Sequence, residues 1–271
     1  MTNLLDNRLE DILSRVLDET EEDLIVVNPS GGAIESIVEV GTEFEGELPS
    51  IRLLGEERTL KDVMDDFIVA SNAADLVDDG YMSMRTSEEM PSNSLLMAPE
   101  RVIALVDAGT QVGGLTSEDG EFVDATWTHY NNLWESADEY SLRTPPISEV
   151  RTSLEDDIGP AAEDDFEHIL TSLETARGDG DGLDEVTISL LVAAKNEALL
   201  YDISKWGEDV GIASKATFSR TKTRLEDMGL IDTEKVPIDV GRPRLRLKLG
   251  DERLANADNG QLATVAQSIL N

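Results

Sequence analysis

The sequence predicts an α/β domain built on a mixed sheet, followed by a smaller module of helices closed by a β-hairpin. Two observations predict this. Apolar runs of strand length alternate with helical periodicity through residues 1–143 and then give way to a cluster of short strands. Residues 183–250 hold three helical segments followed by two alternating strands. The length of 271 residues suits one or two domains, each with its own core, and 40% hydrophobic content argues against wholesale disorder.

In the first domain, Leu5, Leu9, Ile12, Leu13 and Val16 recur at helical spacing and predict a helix over Leu4 to Leu17. Leu24-Ile25-Val26-Val27 is a continuous apolar run, the mark of a strand buried on both faces. Pro29-Ser30-Gly31-Gly32 turns the chain into a helix from Ala33 to Val40, and Ser50 to Leu54 is a second strand. Thr59 is the expected N-cap of a helix reaching Leu76, with Leu60, Val63, Met64, Phe67 and Ile68 on one face. Strands follow at Tyr81 to Thr86, Leu95 to Ala98, Arg101 to Val106 and Gln111 to Leu115. A helix from Phe122 to Tyr140 carries Trp127, Tyr130 and Trp134.

Thr144-Pro145-Pro146 is the expected boundary. A connector over 144–182 holds two acidic helices, Ile147 to Asp157 and Ala161 to Ala176, and a hinge at Gly178-Asp179-Gly180-Asp181-Gly182. The alternating aspartates imitate a calcium loop, but the twelfth position from Asp179 is Leu190 where a glutamate is needed. The segment is read as a linker, and no metal or cofactor is expected.

In the 183–250 module, Asp184 caps a helix through Leu200, and Ser204 to Val210 is a second helix. Gly211-Ile212-Ala213-Ser214 is a tight turn, Lys215 to Met228 a third helix, and Gly229 its C-terminal stop. Leu230 to Val236 and Arg244 to Leu249 form the hairpin. Three helices and a hairpin are the order of a winged helix-turn-helix, whose third helix enters the DNA major groove. A tail over 251–271 ends in a helix, Gln261 to Leu270, expected to serve dimerisation or docking through Leu262, Val265 and Ile269.

Charge sharpens this reading. The chain carries 57 acidic and 22 basic residues, a net of −35. Residues 1–182 hold 43 acidic and 10 basic residues, whereas within 212–250 nine basic residues face five acidic ones. Abundant carboxylates, seven lysines and few large aromatics resemble the proteins of extreme halophiles. In molar salt a Debye length of about 3 Å makes such self-repulsion tolerable. Against that background a positive island is a signal.

The island has a pattern. Arg242, Arg244, Arg246 and Lys248 alternate with Pro243, Leu245, Leu247 and Leu249, so a strand puts the cations on one face, expected to point outward toward phosphates. On the third helix, Phe218, Leu225 and Met228 are expected in the core. Ala216, Arg220 and Thr223 point away from it, flanked by Thr217, Ser219 and Arg224, with Ser214 and Lys215 at the start. Arg220 is the preferred base-reading residue, because arginine bonds the guanine O6/N7 edge bidentately.

Ser214-Lys215-Ala216-Thr217-Phe218-Ser219-Arg220 and Arg224-Leu225-Glu226-Asp227-Met228-Gly229-Leu230-Ile231 resemble the recognition helix of archaeal and bacterial winged-helix regulators. Gly241-Arg242-Pro243-Arg244-Leu245-Arg246 resembles their wing. The whole chain resembles the TbsP group of haloarchaeal TrmB-suppressing regulators, which implies promoter DNA as partner and control of sugar metabolism. Leu96 to Val106, Gln111 to Leu115 and the helix with Trp127 and Trp134 resemble the phospholipase-D-like effector domain of TrmB-type regulators. Hydrolases of that superfamily need His-x-Lys. Here His129 precedes Tyr130-Asn131 and His168 precedes Ile169-Leu170, so the resemblance implies a sensing or dimerising domain without hydrolysis.

No P-loop, Gly-x-Gly-x-x-Gly or His-Glu-x-x-His occurs, there is no cysteine, and nothing singles out Asp107 or Asp124 as catalytic. Ser30, Gly31 and Gly32 open a helix after a strand, and Arg58 and Thr59 follow the second strand in a similar place. Together they are a candidate site for a sugar or sugar phosphate, with helix-terminal N–H groups facing the anion. No apolar run reaches a membrane span and no signal peptide opens the chain, so a soluble cytoplasmic protein is expected. The leading expectation is a homodimeric, metabolite-responsive DNA-binding regulator. An enzyme, or a co-regulatory adaptor, whose winged helix makes only protein contacts stays open as the alternative.

Overall fold

The computed structural model describes residues 3–175, 183–237, 243–257 and 259–270, in two units, Met1–Pro146 and Ile147–Asn271. The hinge at 178–182 and Arg242 lie outside the described residues. The strands of the first unit are β1 (Leu4–Asp6), β2 (Asp23–Val27), β3 (Ser50–Gly55), β4 (Met82–Thr86), β5 (Leu95–Ala98), β6 (Arg101–Asp107), β7 (Val112–Ser117) and β8 (Asp138–Glu139). They form one sheet in the order β1-β7-β6-β5-β2-β3-β4-β8. β2, β3 and β4 run parallel and the other pairs antiparallel, so the sheet is mixed as expected.

The helices are α1 (Leu9–Asp18), α2 (Gly31–Thr42), α3 (Glu57–Met64), α4 (Phe67–Asp78) and α5 (Gly120–Ser136). Strand β2 explains its own continuous apolar run. Leu24 and Val26 join a core with α1–α4, while Ile25 and Val27 meet Met97, Val102 and Val123 of α5 on the opposite face.

Three expectations in this unit are corrected. Residues Leu4–Asp6 are an edge strand, not helix: Leu4 pairs with Gly114 and Leu5 with Gly113 of β7. The approach is close, since a Cβ on Gly114 would lie 2.9 Å from Ile103 Cγ2 and 3.3 Å from Leu4 Cβ. Thr59 is not an N-cap. The expected single helix is two, and the break is capped by Asp66, whose Oδ1 accepts from the N–H groups of Ile68 at 2.9 Å and Val69 at 3.2 Å. Helix α5 stops at Ser136 because Asp138–Glu139 leave it to pair with β4.

The second unit contains α6 (Ile147–Asp157), α7 (Pro160–Thr175), α8 (Glu185–Lys195), α9 (Leu200–Asp209) and α10 (Lys215–Asp227). The hairpin β9 (Ile231–Val236) and β10 (Arg244–Leu249) follows, then α11 (Glu252–Ala255) and α12 (Asn259–Leu270). Every residue of α8 from Val186 to Ala194 is buried, which makes it the central helix of the unit. It ends at Lys195, short of the expected Leu200, because Glu197 takes a left-handed turn at φ 50°. Asp165 of α7, itself buried, accepts from Lys195 Nζ at 2.6 Å and Asn196 Nδ2 at 2.8 Å. Trp206 Nε1 of α9 donates to Ser153 Oγ of α6 at 2.9 Å. The helices α6 and α7 thus belong to the packed body of this unit. Helix α12 packs on α7 and buries Leu262, Ala263 and Ala266, while Val265 and Ile269 are half-buried.

Glu185, in the first turn of α8, is half-buried, and burial pushes its carboxyl up, with Asp184 adding in the same direction. Its pKa is therefore higher folded than unfolded. Stability falls as pH rises from the unfolded value toward the folded one, and the penalty is complete above it. Glu185→Gln is expected to raise the melting temperature at pH 7, with the gain vanishing toward pH of about 4. Paired thermal melts at the two pH values check this; equal stability of variant and wild type at pH 7 would contradict it.

Candidate nucleic-acid interface

Helix α9, a turn and α10 form the helix-turn-helix. Gly211 takes φ 92°, and the Ala213 N–H donates to the Gly207 carbonyl at 3.1 Å. Ser214 then caps α10, its Oγ accepting from the Thr217 N–H at 3.2 Å. The helix ends in a Schellman arrangement: Leu230 N–H donates to Leu225 O at 2.9 Å and Gly229 N–H to Glu226 O at 3.0 Å, with Gly229 at φ 76°.

These caps fix which face of α10 is free. Phe218 and Leu225 are fully buried. Lys215, Ala216, Ser219, Arg220, Thr223 and Arg224 are exposed along neighbouring i, i+4 positions, with Ser214 exposed at their head and Thr217 half-buried beside them. Met228, expected in the core, is 39% exposed. It is the C-cap residue, where the helical phase ends, and Leu230 fills the core instead. Lys222 was not singled out by its sequence position and is buried. Its Nζ reaches Glu226 Oε2 at 2.7 Å, and Thr233 Oγ1 of β9 donates to Glu226 Oε1 at 2.5 Å. These partners hold the Glu226 carboxyl below its usual range, so its contribution to stability is present at neutral pH and is lost as pH falls through the folded value.

The wing strands pair in the register Arg244↔Val236, Arg246↔Glu234 and Lys248↔Asp232, with Leu247 buried on the other face. The other edge of β10 is held at Leu199, and Leu247 N–H donates to Ala198 O at 2.9 Å. Each of the three described cations of β10 meets a carboxylate. Arg244 Nη1 lies 3.3 Å from Asp202 Oδ1, and its guanidinium sits 4.2 Å from the centre of the Tyr201 ring. Arg246 Nη1 lies 3.9 Å from Glu197 Oε2, and Lys248 Nζ 2.7 Å from Glu234 Oε2.

The same holds on α10. Lys215 Nζ is hydrogen-bonded to Glu208 Oε2, and Arg224 Nη2 lies 3.3 Å from Asp184 Oδ2. Lys215 and Lys248 hold the carboxyls of Glu208 and Glu234 below their usual range, so these pairs stay charged at neutral pH. Arg220 differs. Among the described residues it makes no ion pair, and its Nη2 donates only to Thr217 Oγ1 at 3.3 Å. The carboxylate partners and Tyr201 had no signal in the sequence, because each pairing joins different elements or opposite sides of a turn.

The candidate effector residues share one sheet edge. β2 and β3 are parallel, and α2 and α3 begin at their C-terminal ends. Ser30 Oγ accepts from the Ala33 N–H at 3.3 Å, and a Cβ on Gly32 would meet nothing within 4 Å. A Cβ on Gly31 would lie 3.3 Å from Val63. Arg58 is exposed and pairs with Asp62 at 3.7 Å, and Thr59 lies inside the first turn of α3. A separate groove of about 690 Å³ opens between α5 and the sheet, lined by Leu95, Val102, Ala104, Leu115, Phe122 and Tyr130, and contains none of these five residues.

The geometry is that of a helix-turn-helix module with a β-hairpin wing, the class of DNA-binding transcriptional regulators. Residues 1–145 match the family described as transcriptional regulator TbsP-like, N-terminal, and residues 146–267 match its TbsP-like C-terminal HTH domain. The chain belongs to the TbsP-like family of transcriptional regulators. Among solved structures it is similar to TrmBL2, an archaeal chromatin protein whose structure shows a mode of DNA binding. The identity is 12% and the TM-score 0.36, over 52% of this chain and 55% of that one. No curated protein matches the sequence. Among the described residues no helix is long and apolar enough to cross a membrane.

Proposed function

We propose that this regulator binds operator DNA sequence-specifically through the exposed face of α10, Ser214 to Arg224, and through Arg244, Arg246 and Lys248 of the wing, with Arg242 completing it. The observation that carries this is Arg220, exposed and, among the described residues, without an ion pair, on the helix that such a module presents to a groove. The other residues of the face supply phosphate contacts and register. The protein acts as a cytoplasmic homodimer, since paired half-sites multiply modest affinities. Its first unit senses a sugar or sugar phosphate at Ser30–Gly32, Arg58 and Thr59, in a haloarchaeal cell where it controls sugar or central carbon genes. The ligand shifts the dimer between DNA-competent and incompetent geometries by binding one better.

Mobility shifts on promoter fragments in molar salt test the DNA reading. Wild type is expected to bind, and Arg220→Ala and Arg244→Ala to bind more weakly; no binding by wild type, or full binding by both variants, overturns it. Isothermal titration with glucose and with glucose 6-phosphate tests the effector site. Heat that persists in the Gly32→Val/Arg58→Ala protein, or no heat with either compound, rules the site out.

A further inference from the structure

A Lys or Arg that neutralises a phosphate releases cations condensed on the DNA, and that release weakens binding as salt rises. Here such side chains are met by carboxylates of the same unit. Glu208 holds Lys215, Glu197 holds Arg246 and Glu234 holds Lys248, and these three glutamates are 43%, 58% and 54% exposed. Asp184 and Asp202 hold Arg224 and Arg244 in the same manner. When a phosphate takes such a cation, the DNA still releases its condensed ion. A carboxylate is then left without its partner beside a polyanion, where it draws a cation from solution.

We propose that DNA binding by this surface is coupled to cation uptake at Glu197, Glu208 and Glu234, so that affinity falls little as salt rises. The proposal rests on the DNA reading above. The release of about 0.9 ion per neutralised phosphate is offset, at each of these three positions, by the uptake of one. Removing one of these matched cations therefore takes away its ion release and its ion uptake together. Asp184 and Asp202 are left out of the test, because Asp184 caps α8 through Thr187 N–H and Asp202 sits in the first turn of α9.

The experiment measures log K against log [KCl] by fluorescence anisotropy, on an operator and on a non-operator duplex. It uses the full chain, Glu197→Gln/Glu208→Gln/Glu234→Gln, Arg220→Ala and Lys215→Ala. The triple variant is expected to give a slope steeper by about 3 and to bind non-operator DNA at least tenfold more tightly at about 0.2 M salt, as an order-of-magnitude figure. Arg220→Ala, which removes a base contact, is expected to lower operator affinity with little change of slope, and Lys215→Ala to leave the slope nearly unchanged, where loss of a phosphate contact without a carboxylate partner would flatten it by about 0.9. Thermal melts of the Gln variant confirm folding, and if it melts early the three single variants replace it, each expected to steepen the slope by about 1. Equal slopes for wild type and the Gln variants, with binding intact, overturn the coupling and leave the DNA reading standing. Absence of binding by wild type to both duplexes at every salt overturns the DNA reading, and the coupling with it.

Discussion

Arg220→Ala is expected to weaken operator binding roughly 5- to 150-fold, the range spanned by about 1–3 kcal/mol for one bidentate base contact. The loss should concentrate at one base pair of the operator, so that wild type and variant differ little on non-operator DNA. Folding should be unaffected. Arg220 is exposed, and its Nη2 donates to Thr217 Oγ1. Binding to a panel of operator variants, each with one base pair changed, checks this. A uniform loss across the panel would reassign Arg220 from base reading to phosphate contact.

Gly207→Ala is expected to destabilise the second unit strongly. A Cβ at position 207 of α9 would lie 2.3 Å from both Cε2 and Cζ of Phe218. Neither side can yield, because Phe218 is fully buried against the helix-turn-helix core and Gly207 is itself inside α9. Overpacking of this kind costs about 1–3 kcal/mol or more, against a gain of about 1 kcal/mol from alanine's helix propensity. The steric term wins, and a fall in melting temperature on the order of 10 °C follows for a unit of this size. Adding Phe218→Leu should recover part of the loss, since the two positions share one contact and their effects are not additive. Thermal melts of the two single variants and the double variant close the cycle. If the double variant loses the sum of the single losses, the clash is not the cause.

Both predictions depend on how a helix meets its neighbour, and this is where reading the sequence succeeded unevenly. Local signals were legible. The buried run Leu24 to Val27, the caps at Ser214 and Asp184, the stop at Gly229 and the period-two wing all appear where short-range chemistry puts them. Each depends on residues within a turn or a strand of one another. Non-local pairing was not legible. Leu4 to Asp6 carry helical periodicity, yet they pair with β7 more than a hundred residues later because two glycines leave room. The single helix read over 59–76 breaks in two because Asp66 offers its carboxylate to the next turn's N–H groups.

The positive island shows the same division. From the sequence, a net charge of −35 with nine cations gathered in residues 212–250 was enough to mark a DNA-facing module. The order of three helices and a hairpin was enough to name its class. Alternation put Arg244, Arg246 and Lys248 on one face because a strand repeats every two residues. What surrounds those cations is another matter. Asp202, Glu197 and Glu234 reach them from α9, from the turn after α8 and from the paired strand, and Glu208 reaches Lys215 across the turn. One-dimensional spacing determines which residues share a face. Only the folded chain decides which charges meet across elements, and that decision separates Arg220 from Lys215 and Arg224 on the α10 face and from Arg244, Arg246 and Lys248 on β10.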